Sequence, residues 1–216
     1  MKPLYVINFK AYPQTIGERG LRIAKALDKY AKKTKKRIII AVQPTDIRMI
    51  SRAVGIPVYA QHIDPVEPGA KTGHITLEAV LAAGAKGVII NHSENRQDVK
   101  FIGEVVKRVK SKKKKVIVCA KDPIEGAKLS KFKPDFIAVE PPKLIGGDVS
   151  VSKAKPEIIE KAVKKSSVPV LVGAGVKNYE DVSVAIKLGA KGVLVASGIV
   201  KKKNIEGAIK GLTSSS

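Results

Sequence analysis

The feature that most constrains the fold is a series of eight short apolar runs spread along the whole chain. Each run is continuous rather than alternating, which is typical of parallel strands that are covered on both faces or closed into a barrel. Successive runs start far enough apart for a strand, a crossover helix and two loops. The runs are Leu4–Phe9, Arg37–Val42, Pro57–Gln61, Gly87–Asn91, Lys115–Cys119, Asp135–Val139, Val168–Val172 and Gly192–Ala196.

Most of the segments between the runs have the amphipathic spacing of helices. An internal echo supports this interpretation, because Leu81–Ile90 and Ile186–Val195 share a helix end, a glycine stop and a strand entry. The pattern predicts an α/β fold, a (β/α)8 barrel in a single domain over residues 1–216, and an open doubly wound sheet is the structural alternative. The predicted helices are Gly20–Tyr30, Thr76–Ala83, Asp98–Lys110, Pro156–Lys165 and Tyr179–Leu188.

The composition limits the classes of protein. No apolar run approaches the roughly 18 residues of a membrane span, and the lone Cys119 excludes an internal disulfide, so we expect a cytoplasmic protein without a membrane partner. The net charge of +22 attracts anions, but lysine dominates it and aromatic residues make up only 4%. This favours a lysine-rich solvated surface over a nucleic-acid patch, including the runs Lys32–Arg37, Lys112–Lys115 and Lys201–Lys203.

In a barrel of this kind the loops after the strands carry the chemistry. Asn8 and Lys10 share one face of the first strand, and an inward lysine at a barrel mouth suggests a phosphate or an oxyanion. His92 follows the fourth strand, where the start of the helix Asp98–Lys110 is expected to keep its imidazole neutral. Glu140 follows the sixth strand and is a candidate general base.

Two further strand exits consist of small residues. Gly173–Gly175 follows the seventh strand and Ala196–Gly198 the eighth, so backbone N–H groups there can hold a phosphate. Metal-ligand spacing is absent, because His62, His74 and His92 lie far apart in the sequence. Cys119 has no adjacent histidine and is interpreted as a packing residue.

Taken together, these segments closely resemble the triosephosphate isomerase family in its short archaeal form. The resemblance covers the whole chain, and the order of the motifs agrees with the strand assignment. The matching segments are Asn8–Lys10, Ala60–Asp64, Gly73–His74, Asn91–Glu94, Glu140–Gly146, Val151–Pro156, Gly173–Gly175 and Ala196–Gly198.

The resemblance implies interconversion of dihydroxyacetone phosphate and glyceraldehyde 3-phosphate without a cofactor or a metal. Glu140 would move the proton between C1 and C2, His92 would polarise the carbonyl, and Lys10 would stabilise the enediolate charge. Glu94 would orient these groups. The residues implied in substrate binding are Asn8, Lys10, Ile145, Gly146, Gly175, Ala196 and Ser197.

Two segments bear on the lid and on the oligomer. The lid contains Gly147–Asp148, where the family usually has Thr-Gly, so we expect weaker substrate binding or slower closure. The loop Gln61–Thr76 resembles the family's subunit-interlocking loop and implies a homodimer. A tetramer is the alternative, disfavoured because the lysine-dense later helices would repel one another.

Two other functions are weighed against this one. The first is another phosphate-binding barrel enzyme, either an aldolase or a biosynthetic isomerase. A Schiff-base aldolase requires a reactive lysine at a strand end, and only Lys10 fits. The second is a nucleic-acid-associated protein, whose binding to nucleic acid would depend strongly on salt and would not change when Glu140 is mutated.

Overall fold

The computed structural model describes residues 2–141, 155–173 and 175–214. Its eight strands are all parallel and form a closed barrel in chain order, in which β1 pairs with both β2 and β8. The predicted (β/α)8 barrel is therefore confirmed, and the open sheet is wrong. The strands are β1 Leu4–Asn8, β2 Arg37–Val42, β3 Val58–Ala60, β4 Gly87–Ile90, β5 Lys115–Ala120, β6 Phe136–Val139, β7 Val170–Val172 and β8 Gly192–Val195.

Alternation along the strands divides the core into two layers. In β1, Leu4 and Val6 belong to the cluster that fills the barrel, whereas Tyr5 and Ile7 pack in the larger cluster between strands and helices. Because successive side chains of a strand point to opposite faces, every second residue faces the barrel axis. Apolar residues occupy both faces, which explains the continuous runs in the sequence.

Helices follow the strands and cover the outside of the barrel. The five predicted helices are all present, four of them with ends shifted by one to four residues. Thr76 and Asp98 cap two of them by accepting hydrogen bonds from backbone N–H groups. The helices are α1 Gly17–Thr34, α2 Ile47–Ala53, α3 Leu77–Ala82, α4 Val99–Ser111, α5 Pro123–Ser130, α6 Pro156–Lys165, α7 Tyr179–Lys187, α8 Ser197–Val200 and α9 Ile205–Thr213.

The glycine stops of the internal echo have the expected geometry. Gly84 follows α3 with φ of +109° and Gly189 follows α7 with φ of +99°. This left-handed backbone, which glycine adopts without steric cost, ends the helix and turns the chain toward the next strand. Across the described ranges, no helix is long and apolar enough to span a membrane.

Candidate active site

The barrel's alternation brings the polar strand-end residues together at its carboxyl end. Asn8 lies two residues beyond the inward Val6, and Glu140 lies two residues beyond the inward Ala138. Both polar side chains are buried, with 5% and 7% exposure. A strand that fills the barrel with apolar groups thus ends by presenting a polar group at its mouth.

Glu140 and His92 face one another across this mouth. The Glu140 Oε2 atom lies 3.6 Å from His92 Nε2, and both side chains are less than 10% exposed. Within the described part of the chain, no hydrogen-bond donor reaches the buried Oε2. Gly173 makes room for the carboxylate, because a Cβ there would lie only 2.4 Å from Glu140 Cγ. The result is a buried carboxylate oxygen that is available to accept a proton.

The protonation pattern of His92 follows from its neighbour Glu94. The backbone N–H of Glu94 donates to His92 Nδ1 over 3.2 Å, so Nδ1 carries no proton and a neutral ring holds its proton on Nε2. For the neutral imidazole expected from the sequence, this contact fixes which ring nitrogen holds the proton. The donor belongs to a turn before α4, which begins only at Val99.

Lys10 is fixed by an ion pair with the same Glu94. The Lys10 Nζ atom lies 2.6 Å from Glu94 Oε1, and the lysine side chain is only 12% exposed. Its backbone is left-handed, with φ of +51°, and its N–H donates to Asn8 Oδ1 over 3.0 Å. Glu94 therefore contacts both Lys10 and His92 and connects the first strand's exit with the fourth's.

Gln61 is a site residue that the sequence reasoning did not assign to the site. Its Nε2 group donates to Asn8 Oδ1 at 3.2 Å, to the Lys10 carbonyl at 3.1 Å and to the Ala41 carbonyl at 3.1 Å. An amide at the end of β3 thus supports the unusual backbone of Lys10. The available signal was its place as the last residue of the predicted run Pro57–Gln61, whose strand neighbours β2.

Asn91 was also missed, although it directly precedes His92. Its Nδ2 group donates to the Cys119 carbonyl over 2.9 Å, and its Oδ1 accepts from the N–H of Gln97 over 2.9 Å. The Arg96 guanidinium donates to the Asn91 carbonyl and pairs with Glu125. These bonds hold the loop that carries His92 and Glu94 against the neighbouring strand.

Cys119 packs beneath the site. Its side chain is buried in the cluster that fills the barrel. Burial raises the pKa of the thiol well above its usual range, and the nearby negative charge of Glu140 raises it further. Because only a thiolate is a strong nucleophile, this environment agrees with the packing role assigned from the sequence.

The two small-residue exits lie beside this group of residues. At the seventh strand's exit, Gly175 has φ of +70°. At the eighth strand's exit, Ala196 directly precedes α8. The first N–H groups of α8, beginning at Ser197, have no hydrogen-bond partner within the helix. Lys201, directly after α8, stacks on the Tyr12 ring at 4.2 Å from its centroid. The predicted lid residues Ile145 and Gly146, and the Gly147–Asp148 departure, lie outside the described residues.

Two of the histidines that lie apart in the sequence come together in space. His62 and His74 both contact Asp64, at 3.3 Å and 3.4 Å. The loop between them folds back, and the N–H of Ile75 donates to the same carboxylate over 2.7 Å. No group of three or more His, Cys, Asp or Glu that could hold a metal occurs in the described segments.

Comparisons with known proteins show which family the chain is similar to. The family model described as triosephosphate isomerase matches residues 3–212. A triosephosphate isomerase of Methanocaldococcus jannaschii is 48% identical over 97% of this chain and 98% of its own. Those of Caldivirga maquilingensis, at 45% over 96% and 94%, and Methanothermus fervidus, at 43% over 98% and 97%, are also similar. The chain belongs to the triosephosphate isomerase family.

Proposed function

We propose that Glu140, His92 and Lys10 interconvert dihydroxyacetone phosphate and glyceraldehyde 3-phosphate in this chain. The observation that carries the proposal is the buried Glu140 Oε2, which lacks a donor among the described residues and lies 3.6 Å from His92 Nε2. A base and an acid at this spacing can act on adjacent atoms of one small substrate.

The proposed steps conserve every proton. Glu140 accepts a proton from C1 of dihydroxyacetone phosphate, and the electron pair of that C–H bond moves to give an enediolate. His92, with its proton on Nε2, donates a hydrogen bond to the substrate oxygens that gain charge. His92 gives its Nε2 proton to O2 and takes up the hydroxyl proton of O1, so the neutral ring is restored. Glu140 returns its proton to C2, which gives glyceraldehyde 3-phosphate and restores the carboxylate.

Lys10 and Asn8 are proposed to bind the substrate oxygens. The Lys10 ammonium, held by Glu94 at 2.6 Å, brings a positive charge to a largely enclosed position. Charge preorganised in such a place stabilises a developing oxyanion without further rearrangement. Asn8, whose Oδ1 accepts from Lys10 and Gln61, keeps its amide nitrogen outside these two bonds.

The phosphate is proposed to bind at the exits of β7 and β8. Gly175, Ala196 and Ser197 offer backbone N–H groups there, and the resemblance adds Ile145 and Gly146 of the lid. Closure of a lid excludes water, which suppresses phosphate loss from the enediolate. Asp148 would bring a negative charge near that phosphate, so its replacement of the usual glycine is proposed to weaken binding.

The alternative functions lack support from the site. A Schiff-base lysine must lose its proton to attack a carbonyl, whereas Lys10 is paired with a carboxylate. At the strand ends that the structure describes, nothing favours nucleic acid over a small anion. Family membership over residues 3–212 favours the isomerase.

Isomerase activity is tested with a coupled assay on glyceraldehyde 3-phosphate. Glu140→Gln removes the base, so kcat should fall by about 10³-fold or more, and Glu140→Asp, which withdraws the carboxylate by one methylene, should fall less. The matched control is Glu104→Gln, which changes the same charge on the exposed face of α4 and should keep full activity. Activity of Glu140→Gln within tenfold of wild type, with the fold intact by circular dichroism, would contradict the proposal.

Three further properties are proposed together. Residues 1–216 form one catalytic domain, since the matched family region covers nearly all of them. The chain is a homodimer through the loop 61–76, and sedimentation equilibrium should give twice the chain mass of 23.1 kDa. A cytoplasmic location agrees with the single, unpaired Cys119.

A further inference from the structure

A cleft of about 400 Å³ opens on the face of the barrel opposite the active site. It lies between the last turns of α1, the turn into β2, the start of β1 and the residues before β3. All of these are at the amino ends of the strands, whereas Glu140, His92 and Lys10 lie at the carboxyl ends. A ligand in the cleft is therefore separated from the substrate by the length of the strands.

The cleft combines an apolar floor with a basic rim. Its charged lining comes mainly from the run Lys32–Arg37, which the isomerase site does not use. Volumes of roughly 300–1,000 Å³ with an apolar lining and a few polar groups are typical of small-molecule pockets. The apolar lining consists of Leu4, Ala31, Ile38, Ile39, Ile56 and Pro57.

Asp28, the one carboxylate among the described residues that line the cleft, has its charge balanced by its partners. It accepts hydrogen bonds from the N–H groups of Gly55 and Ile56, at 2.9 Å and 3.0 Å, and pairs with Lys32 at 2.6 Å. Asp28 therefore adds little net negative charge to the cleft, because the charge of Lys32 balances it. The remaining cations therefore give the cleft a net positive charge.

Those cations are Lys36 and Arg37. Lys36 Nζ donates to the Thr213 carbonyl over 2.8 Å, and Arg37 Nη1 donates to the Lys2 carbonyl over 3.2 Å. Neither forms an ion pair with a carboxylate in the described ranges. Each keeps further N–H donors, since an ammonium has three and a guanidinium five. Two cations with uncommitted donors thus border an apolar floor.

We propose that this cleft binds an amphipathic organic anion, with its apolar body on the floor and its carboxylate, sulfonate or phosphate on Lys36 and Arg37. Burial of the body and a charge-assisted hydrogen bond each contribute to affinity. A bare inorganic anion would leave the apolar floor uncovered, and a nucleic acid would require an extended basic track rather than an apolar floor.

The proposal is tested by fluorescence titration of the full chain with 8-anilino-1-naphthalenesulfonate. We expect saturable binding of one probe per chain, which saturating dihydroxyacetone phosphate does not displace. The neutral analogue N-phenyl-1-naphthylamine, which lacks only the sulfonate, should bind at least about tenfold more weakly, the loss expected for one hydrogen bond to a charged group. Displacement by the substrate would place the probe in the active site and overturn the proposal.

Two variants locate the probe. Lys36→Gln/Arg37→Gln should weaken binding of the sulfonate at least about tenfold while leaving the neutral analogue unchanged. Its matched control, Lys107→Gln/Lys112→Gln, removes the same charge from the exposed surface around the end of α4 and should bind like wild type. Equal weakening in both variants would mean that binding of the sulfonate depends only on the net charge of the protein. That result would refute the proposal that the probe binds in the cleft.

A steric variant is independent of charge. A Cβ on Gly55 would lie 3.4 Å from both Asp28 Oδ1 and Lys32 Cε, at ordinary contact distance, so Gly55→Leu places its side chain in the cleft. We expect Gly55→Leu to lose binding of both probes, with kcat and KM for triose phosphates unchanged. Undiminished probe binding in the folded Gly55→Leu protein would overturn the assignment.

Discussion

At the scale of single residues, the site depends on a few hydrogen bonds that hold a strained position. Lys10 has a left-handed backbone, which costs a non-glycine residue about 1–2 kcal/mol. Asn8 accepts from its N–H, and Gln61 donates to its carbonyl. The ammonium is then directed by Glu94. Gln61 is therefore a positioning residue, because it acts on the substrate through Lys10.

Replacement of Gln61 should affect substrate binding more than proton transfer. Gln61→Met keeps the shape but donates no hydrogen bond, and we expect KM to rise about tenfold with a smaller change in kcat. Gln61→Glu places a carboxylate against three oxygen acceptors and should raise KM further. Steady-state kinetics across pH measures both values.

The pH profile distinguishes positioning from general damage. Glu140 and His92 keep their own contacts in these variants, so the inflections of kcat with pH should not move. Unchanged kcat and KM, or a displaced pH profile, would contradict a role through Lys10.

At the scale of elements, the glycine after each helix of the echo sets where the next strand begins. Gly84 joins α3 to β4 with φ of +109°, and the Ser51 hydroxyl donates to the carbonyl of the preceding Ala83 over 2.8 Å. A Cβ at Gly84 would lie 2.3 Å from that hydroxyl oxygen. Backbone conformation and space therefore both require glycine.

Gly84→Ala should destabilise the protein by about 1–2 kcal/mol, because alanine disfavours positive φ and must displace Ser51. Gly211→Ala in α9 is the control with the opposite sign. A Cβ there meets nothing within 4 Å, and alanine favours a helix by about 1 kcal/mol. Urea unfolding followed by circular dichroism measures both. Equal stability of the two variants would contradict this account.

The sequence predicted elements better than it predicted contacts between loops. Strand alternation alone places Asn8 and Glu140 at the barrel mouth, so these positions were accessible from the sequence. The donors of Gln61 reach oxygens on two other strands, and Asp64 meets two histidines only because its loop folds back. Such contacts depend on loop paths that have no periodicity to reveal them.

At the scale of the whole molecule, the chain has 19 acidic and 41 basic residues. Several of its carboxylates form ion pairs with lysines. Burial acts to raise the pKa of Asp135, but hydrogen bonds from Lys115, the Val116 N–H and Lys110 outweigh burial and lower it. Burial likewise opposes the lowered pKa of Asp28, where the bonds from Lys32 and two N–H groups prevail. These carboxylates stabilise the fold while they remain charged.

Stability should therefore decline in acid. A carboxyl group whose pKa is lower in the folded state binds protons more readily in the unfolded state. Its contribution to the free energy of unfolding is therefore complete above the unfolded pKa of about 4 and disappears as pH falls through the folded pKa. The free energy of unfolding, measured in urea from pH 7 to pH 3, should fall most steeply below about pH 5. Asp135→Asn should flatten that slope and Glu104→Gln should not. A slope unchanged in Asp135→Asn would contradict the assignment.

Pairing of β1 with β8 has a consequence for synthesis on the ribosome. The β1 edge is synthesised before the other strands and stays without its second neighbour until residues 192–195 emerge, after the six strands between them. Contacts of Thr213 with Tyr30 and Lys36 come later still. A nascent chain thus carries an exposed strand edge for most of its production, the state in which sheet proteins aggregate most readily. The many lysines of the chain keep such unfinished copies apart by repulsion.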